Sequence, residues 1–267
     1  MSQSPAPSTP PAQSLVRGSR GASSRWTYLS ESRDLVNSCI IVAPLFIFYQ
    51  IGILFTDGWM NGADFVTTWM HRASGHNQWV YAAFNLVILG ALLAFYFRRK
   101  ASKQLSGRTW VLVVAESTLY AFFLGGLVVN LLLKLGVTPP GLSMVTLGPG
   151  AESSVFNAIV LSVGAGTYEE LFFRVILMGA MIWGLERAGK FRTIVNVGIA
   201  VLVSSLIFSA FHYKPFGMDD WQMWSFMFRF VAGIIFAVLY MTRGFAVAVY
   251  THAIYDIFIL VPRALGW

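Results

Sequence analysis

Ionisable side chains stranded in apolar sequence are the residues most able to do chemistry here, and they are few. The densest group is Glu169-Glu170-Leu171-Phe172-Phe173-Arg174. A charged side chain at the centre of a membrane helix costs roughly 2.5–3.5 kcal/mol on insertion scales, so such groups face a protein interior or a wet cavity and are read first as functional. On a helix Glu170 and Arg174 stand four apart on one face, with the acid on the favourable N-terminal side. Glu169 is turned about 100° from Glu170 and is out of ideal register with Arg174. This divides the labour. Glu170 and Arg174 neutralise each other, and Glu169 is left for a cavity, where a carboxylate can take a proton from water. The alternative is that both glutamates serve one packed charge network.

Two further groups accompany it. His212 ends an apolar run, with Phe208 one helical turn earlier on the same face. Taken alone it reads as an interfacial histidine as readily as a catalyst. His252 and Asp256 are four apart on one face of the last run, where the carboxylate could fix the tautomer and orientation of the imidazole or make a structural hydrogen bond. Glu116 and Arg229 lie near span ends and are expected to reach water by themselves, Arg229 by snorkelling. His71 and His76 fall in a loop and are expected to be solvated.

Several soluble chemistries are excluded. The chain has no HExxH helix, no GxSxG elbow and no glycine loop followed by GK[ST]. Gly164 and Gly166, just before the glutamates, are expected to permit close helix packing beside them. Cys39 is the only cysteine, so no internal disulfide can form, and it is expected to be a small buried hydrophobe.

The elements that must position these groups are apolar spans. The 267 residues are 56% hydrophobic and 12% charged, with mean hydropathy +0.64; soluble domains run near 25% charged. Seven apolar stretches follow one another at 35–56, 79–97, 110–134, 155–185, 193–212, 224–242 and 245–262. Each except the fourth matches the ~20 residues needed to cross ~30 Å of hydrocarbon. The fourth must tilt, break or extend beyond the membrane. The expected fold is therefore an all-α polytopic membrane bundle of about seven to eight transmembrane helices.

Residues 1–30 are rich in Ser, Pro, Gly and Arg and are expected to form a disordered cytoplasmic tail, leaving 31–267 as the transmembrane domain. Residues 64–74 are expected to form either an interfacial helix or an ordered loop. With the tail inside and seven alternating spans, thirteen Lys and Arg residues fall on the cytoplasmic side, and only Arg72, Lys134, Lys214 and Arg263 on the other. That asymmetry obeys the positive-inside rule, and the nine tryptophans lie at or near span ends, where aromatic belts form. The net charge of +7 is thus used in orientation, and nucleic acid is not an expected partner.

The three groups, in this order and each on its own span, resemble the CPBP family of CAAX proteases and bacteriocin-processing enzymes, which carries EExxxR, then FxxxH, then HxxxN or HxxxD. Here these are Glu169 to Arg174, Phe208 to His212 and His252 to Asp256. The resemblance covers about residues 155–262. It implies an α-helical intramembrane endopeptidase, most readily of a bacterial inner membrane, that hydrolyses a peptide bond in a membrane-associated protein or peptide. By the same resemblance Glu169 and His212 activate a water, His252 and Asp256 line the oxyanion site, and Glu170 and Arg174 hold the first motif in place. An ionised Asp offers only acceptors where Asn would offer an amide donor, so Asp256 is expected to orient His252, which then donates alone.

Glu169, His212 and His252 also form a His2Glu donor set, which suits catalytic zinc. Because these donors come from three spans with no paired-histidine helix, a metal-free glutamic mechanism is preferred, and no cofactor is expected. Two other classes compete with a protease. A proton-coupled transporter would also use intramembrane Glu, His and Asp, but no inverted repeat is visible. A non-catalytic immunity or binding protein would keep the scaffold while still bearing the insertion cost of idle polar groups.

Overall fold

The computed structural model describes residues 28–56, 105–139, 154–189, 191–214 and 219–267, with a few isolated positions between 75 and 90. Helix α1 spans Leu35–Gly52 and runs into a 3-10 turn at Ile53–Phe55; α2 spans Gly107–Lys134. Helix α3, Val155–Glu170, continues as a π-helical segment at Leu171–Met178 and then as α4, Gly179–Ala188. Helices α5 (Thr193–Ala210), α6 (Met223–Arg243) and α7 (Phe245–Ala264) complete the bundle. Among the described residues there is no strand, only an isolated bridge between Tyr213 and Asp219.

Among the described residues five helical segments, all but α3 and α4, are long and apolar enough to cross a membrane. The overlong fourth stretch is resolved by the α3–π–α4 composite. Its π segment begins directly after the two glutamates, and such i→i+5 bulges recur at functional sites. The second stretch, 79–97, lies mostly outside the described residues; Trp79, Val80, Ala83, Val87 and Gly90 are helical. Residues 1–27 and 64–74 also lie outside them, apart from which the expected tail is corrected at its end: Tyr28, Leu29 and Ser30 begin a helical turn reaching Arg33.

Helix starts follow local chemistry. Asp34 accepts from the Asn37 N–H at 2.9 Å, Ser106 from Arg108 at 3.2 Å and Ser154 from Asn157 at 3.2 Å, each satisfying an otherwise orphaned donor. The turn between α6 and α7 is a single glycine. Gly244 has φ +100°, and a Cβ there would stand 2.2 Å from the Ser32 carbonyl oxygen, so both conformation and space require glycine.

Helix α7 is the centre of the bundle, packing on α1, α2, α3 and α6. Its first nine residues, Phe245 to Ala253, are all buried, as expected of a helix apolar on every side. Since lipid tails are as apolar as leucine, helices associate through close packing and polar contacts. Gly166 supplies one such close backbone approach: a Cβ on it would lie 2.7 Å from the Ala253 nitrogen and 2.8 Å from the Val249 oxygen. This crossing sets the α3 glutamates against the α7 histidine. Large side chains such as Leu119, Phe122 and Phe123 on α2 remain exposed, on the face left for lipid. Cys39 is exposed on α1, correcting its expected burial; its apolar setting is the bundle's outer face.

Candidate active site

Three helices converge on one carboxylate oxygen. Glu169 Oε2 lies 3.7 Å from His212 Nε2 and 3.8 Å from His252 Nε2. Glu169 is the last residue but one of α3, His212 follows the end of α5, and His252 sits at the last buried turns of the α7 core. Thus the side chains at 169, 212 and 252 share one space.

Around this point each imidazole is held by its other nitrogen. His212 Nδ1 is 2.9 Å from the Phe208 carbonyl oxygen; a carbonyl only accepts, so Nδ1 carries the proton. The neutral ring then presents the lone pair of Nε2 to Glu169. His252 Nδ1 is 2.8 Å from Glu170 Oε1, which leaves Nε2 facing both Glu169 and Asp256 Oδ2, the latter at 3.6 Å. Phe236 stacks on the His252 ring with centroids 4.5 Å apart and planes 13° from parallel. Phe208 packs edge-on against His212, Phe173 and, more loosely, His252.

Glu170 is therefore the hub of the buried layer. Its Oε2 faces Arg174 Nε at 3.1 Å, and both side chains are fully buried. The Arg174 guanidinium lies over the Phe208 ring, 4.8 Å from its centroid. One carboxylate thus neutralises the arginine and orients the histidine. Glu170 thus holds His252 at Nδ1, while Asp256 faces its Nε2. Sequence spacing could not expose the Glu170 contact, since the two residues stand on different helices.

Exposure is graded across the cluster. Glu169, Glu170, Arg174 and His252 are buried, whereas the His212 and Asp256 side chains are each 25% exposed. The two partly exposed members are thus His212, just past the end of α5, and Asp256 on α7. An apolar groove of about 550 Å³, lined by Ala121, Phe122, Gly125, Tyr255, Phe258 and Ile259, lies between α2 and α7. None of these lining residues is a carboxylate, a histidine or a cation, so the groove offers no acid–base group.

Both residues expected to reach water unaided have protein partners instead. Arg229 pairs with Asp219 at 2.6 Å. Glu116 pairs with Arg243 at 2.6 Å and accepts hydrogen bonds from Tyr120 and Tyr28. The sequence shows these as isolated charges because their charged partners are ten or more residues away.

Glu169, His212 and His252 suit zinc by donor type, yet among the described residues no three such groups stand in a ligating arrangement.

The family description "Type II CAAX prenyl endopeptidase Rce1-like" matches residues 151–258. That span contains all three motif groups. No curated protein and no solved structure matches the chain.

Proposed function

We propose that this integral membrane protein, which carries a type II CAAX prenyl endopeptidase domain of the CPBP family at residues 151–258, hydrolyses a peptide bond in a membrane-associated protein or peptide through a water activated by Glu169 and His212. The observation that carries this reading is the shared position of Glu169 Oε2, 3.7 Å from one Nε2 and 3.8 Å from the other. Those separations exceed a direct hydrogen bond, and a water beside the three atoms would be within reach of all of them.

In the proposed reaction Glu169 takes a proton from the water as its oxygen attacks the scissile carbonyl carbon. The neutral Nε2 of His212 accepts a second hydrogen bond from that water and orients it. The tetrahedral intermediate carries its negative charge on the former carbonyl oxygen. His252, fixed through Nδ1 by Glu170, can donate from Nε2 to that oxygen when both ring nitrogens carry protons. Glu169 then returns its proton to the leaving amine as the C–N bond breaks. A donor aimed at the oxyanion is worth roughly 2.7–4 kcal/mol in other proteases.

The charge asymmetry of the loops supports a cytoplasmic N-terminus. In that topology the α5–α6 loop, and with it the more exposed side of the cluster, is on the opposite face. The test is cleavage of membrane-associated substrates by purified protein in detergent. Glu169→Gln and His212→Ala should each lower kcat on the order of 10²–10⁴-fold, the usual contribution of a positioned acid–base group, while both variants stay folded. Full activity in both would overturn the assignment.

A further inference from the structure

Beyond the residues named by the three motifs, the loop that follows His212 is built in an unusual way. The His212 backbone carbonyl accepts the Asp219 N–H at 3.1 Å, and the Lys214 N–H donates to the Asp219 carbonyl at 3.1 Å. These two bonds pair Tyr213 with Asp219 and fold the loop back on itself. The Asp219 carboxylate Oδ2 then accepts from Arg229 Nη2 at 2.6 Å, with 23% and 18% of the two side chains exposed. The Arg229 guanidinium lies over the Tyr213 ring, 5.4 Å from its centroid. One turn before His212, Ser209 Oγ donates to the Phe226 carbonyl at 2.7 Å. Thus both ends of the short segment carrying His212 are tied to the first two turns of α6.

The geometry points to Asp219 and Arg229 as positioning residues that fix His212 opposite Glu169 for the proposed hydrolysis. His212 lies beyond the last residue of α5, so the helix alone does not hold its backbone; the ring is restrained from within by its bond to the Phe208 carbonyl. The loop supplies the other restraint. Asp219 acts with both its backbone, on the His212 carbonyl, and its side chain, on a cation anchored in α6. An aspartate is required for the double role, because its short side chain keeps the ion pair beside the backbone contact. Arginine suits the other half, since a planar guanidinium can pair and stack on an aromatic ring at once. The guanidinium charge also acts on His212 and Asp256, the two more exposed members of the cluster.

This inference rests on the proposed role of His212, and the test separates the two. Asp219→Asn, Arg229→Gln and the double variant are compared with wild type, with Lys214→Ala as a control. Lys214 belongs to an exposed pair with Asp220 at 2.9 Å, which holds nothing in the site. Each latch variant should lower kcat by up to about 100-fold, the scale of a 1 Å misplacement, with KM nearly unchanged. The double variant should be no worse than either single, as for residues acting as a unit. Arg229→Lys, which retains a cation for Asp219, should recover much of the loss. Independently of activity, carbethoxylation of His212 by diethyl pyrocarbonate, followed by mass spectrometry, should be severalfold faster in Asp219→Asn and unchanged in Lys214→Ala. Wild-type kcat and an unchanged His212 modification rate in the latch variants would overturn the positioning role, even if Glu169→Gln is inactive. Faster modification with no cleavage by any form would keep the latch and remove the hydrolytic reading.

Discussion

His252 and Glu170 form a 2.8 Å contact between Nδ1 and a carboxylate oxygen, across two helices and within the buried layer of the bundle. This contact decides what Asp256 is free to do. The imidazole is already oriented from the Glu170 side, and Asp256 Oδ2 meets it only at 3.6 Å on the other nitrogen. Asp256→Asn should therefore leave His252 in place and add an amide donor at the oxyanion side. The expected outcome is activity retained within about tenfold, a difference of roughly 1.4 kcal/mol in barrier. Asp256→Leu, with no polar group, should lose more. A steady-state comparison of kcat checks this, and a collapse in Asp256→Asn equal to that in Asp256→Leu would show that the carboxylate itself is needed.

The same hub makes Glu170 a stability residue as well. Arg174 and Glu170 are fully buried and 3.1 Å apart, so removing the acid strands a guanidinium in the bundle. Loss of one partner of a buried pair costs about 3–5 kcal/mol. Glu170→Gln should lower the thermal midpoint in detergent sharply, and Glu169→Gln, which leaves that pair intact, much less. Equal midpoints for the two variants would mean that the charge of Glu170 is not what neutralises Arg174.

Much of this was legible in the residues themselves. The i, i+4 spacing of Glu170 and Arg174 yields their ion pair, and the glycine at 166 marks a close helix crossing. Apolar length located the described spans and flagged 155–185 as too long for one regular helix. Spacing could not show contacts between helices distant in sequence. Glu170 meets His252 from 82 positions away, and Glu116 meets Arg243 from 127 away. Read along the chain, Glu170 is already matched with Arg174 and His252 with Asp256, and Glu116 looks like a lone charge with water as its natural partner. The burial of Cys39 failed for a different reason: in a membrane bundle an apolar neighbourhood in sequence need not be protein interior.

Gly166 predicts a sharp contrast between two alanine substitutions. At Gly166 a methyl group would meet backbone atoms of α7 at 2.7 and 2.8 Å, whereas at Gly126 nothing lies within 4 Å. Overpacking of this kind typically costs 1–3 kcal/mol, and here backbone, not a flexible side chain, must move. Gly166→Ala should lower the thermal midpoint and reduce kcat, because α3 and α7 carry Glu169 and His252. Gly126→Ala should change neither. Wild-type behaviour of Gly166→Ala would show that the crossing can widen without disturbing the site.

Metal dependence is the remaining point at which the two mechanisms diverge. In the glutamic mechanism Glu169 must be a base toward water, with its Oε2 open to that water between the two Nε2 atoms. In a zinc mechanism the same oxygen and nitrogens would be bound to the ion at about 2.0–2.2 Å, and their lone pairs would be committed to it. Both readings draw on the same three donors, so metal dependence itself separates them. Purified protein dialysed against a strong zinc chelator should retain its cleavage rate, and added zinc should not raise it. Mass spectrometry of metal content on the same samples separates failure to strip the ion from true independence. Activity lost with the metal and restored in proportion to returned zinc would transfer the water-activating role from Glu169 to the ion.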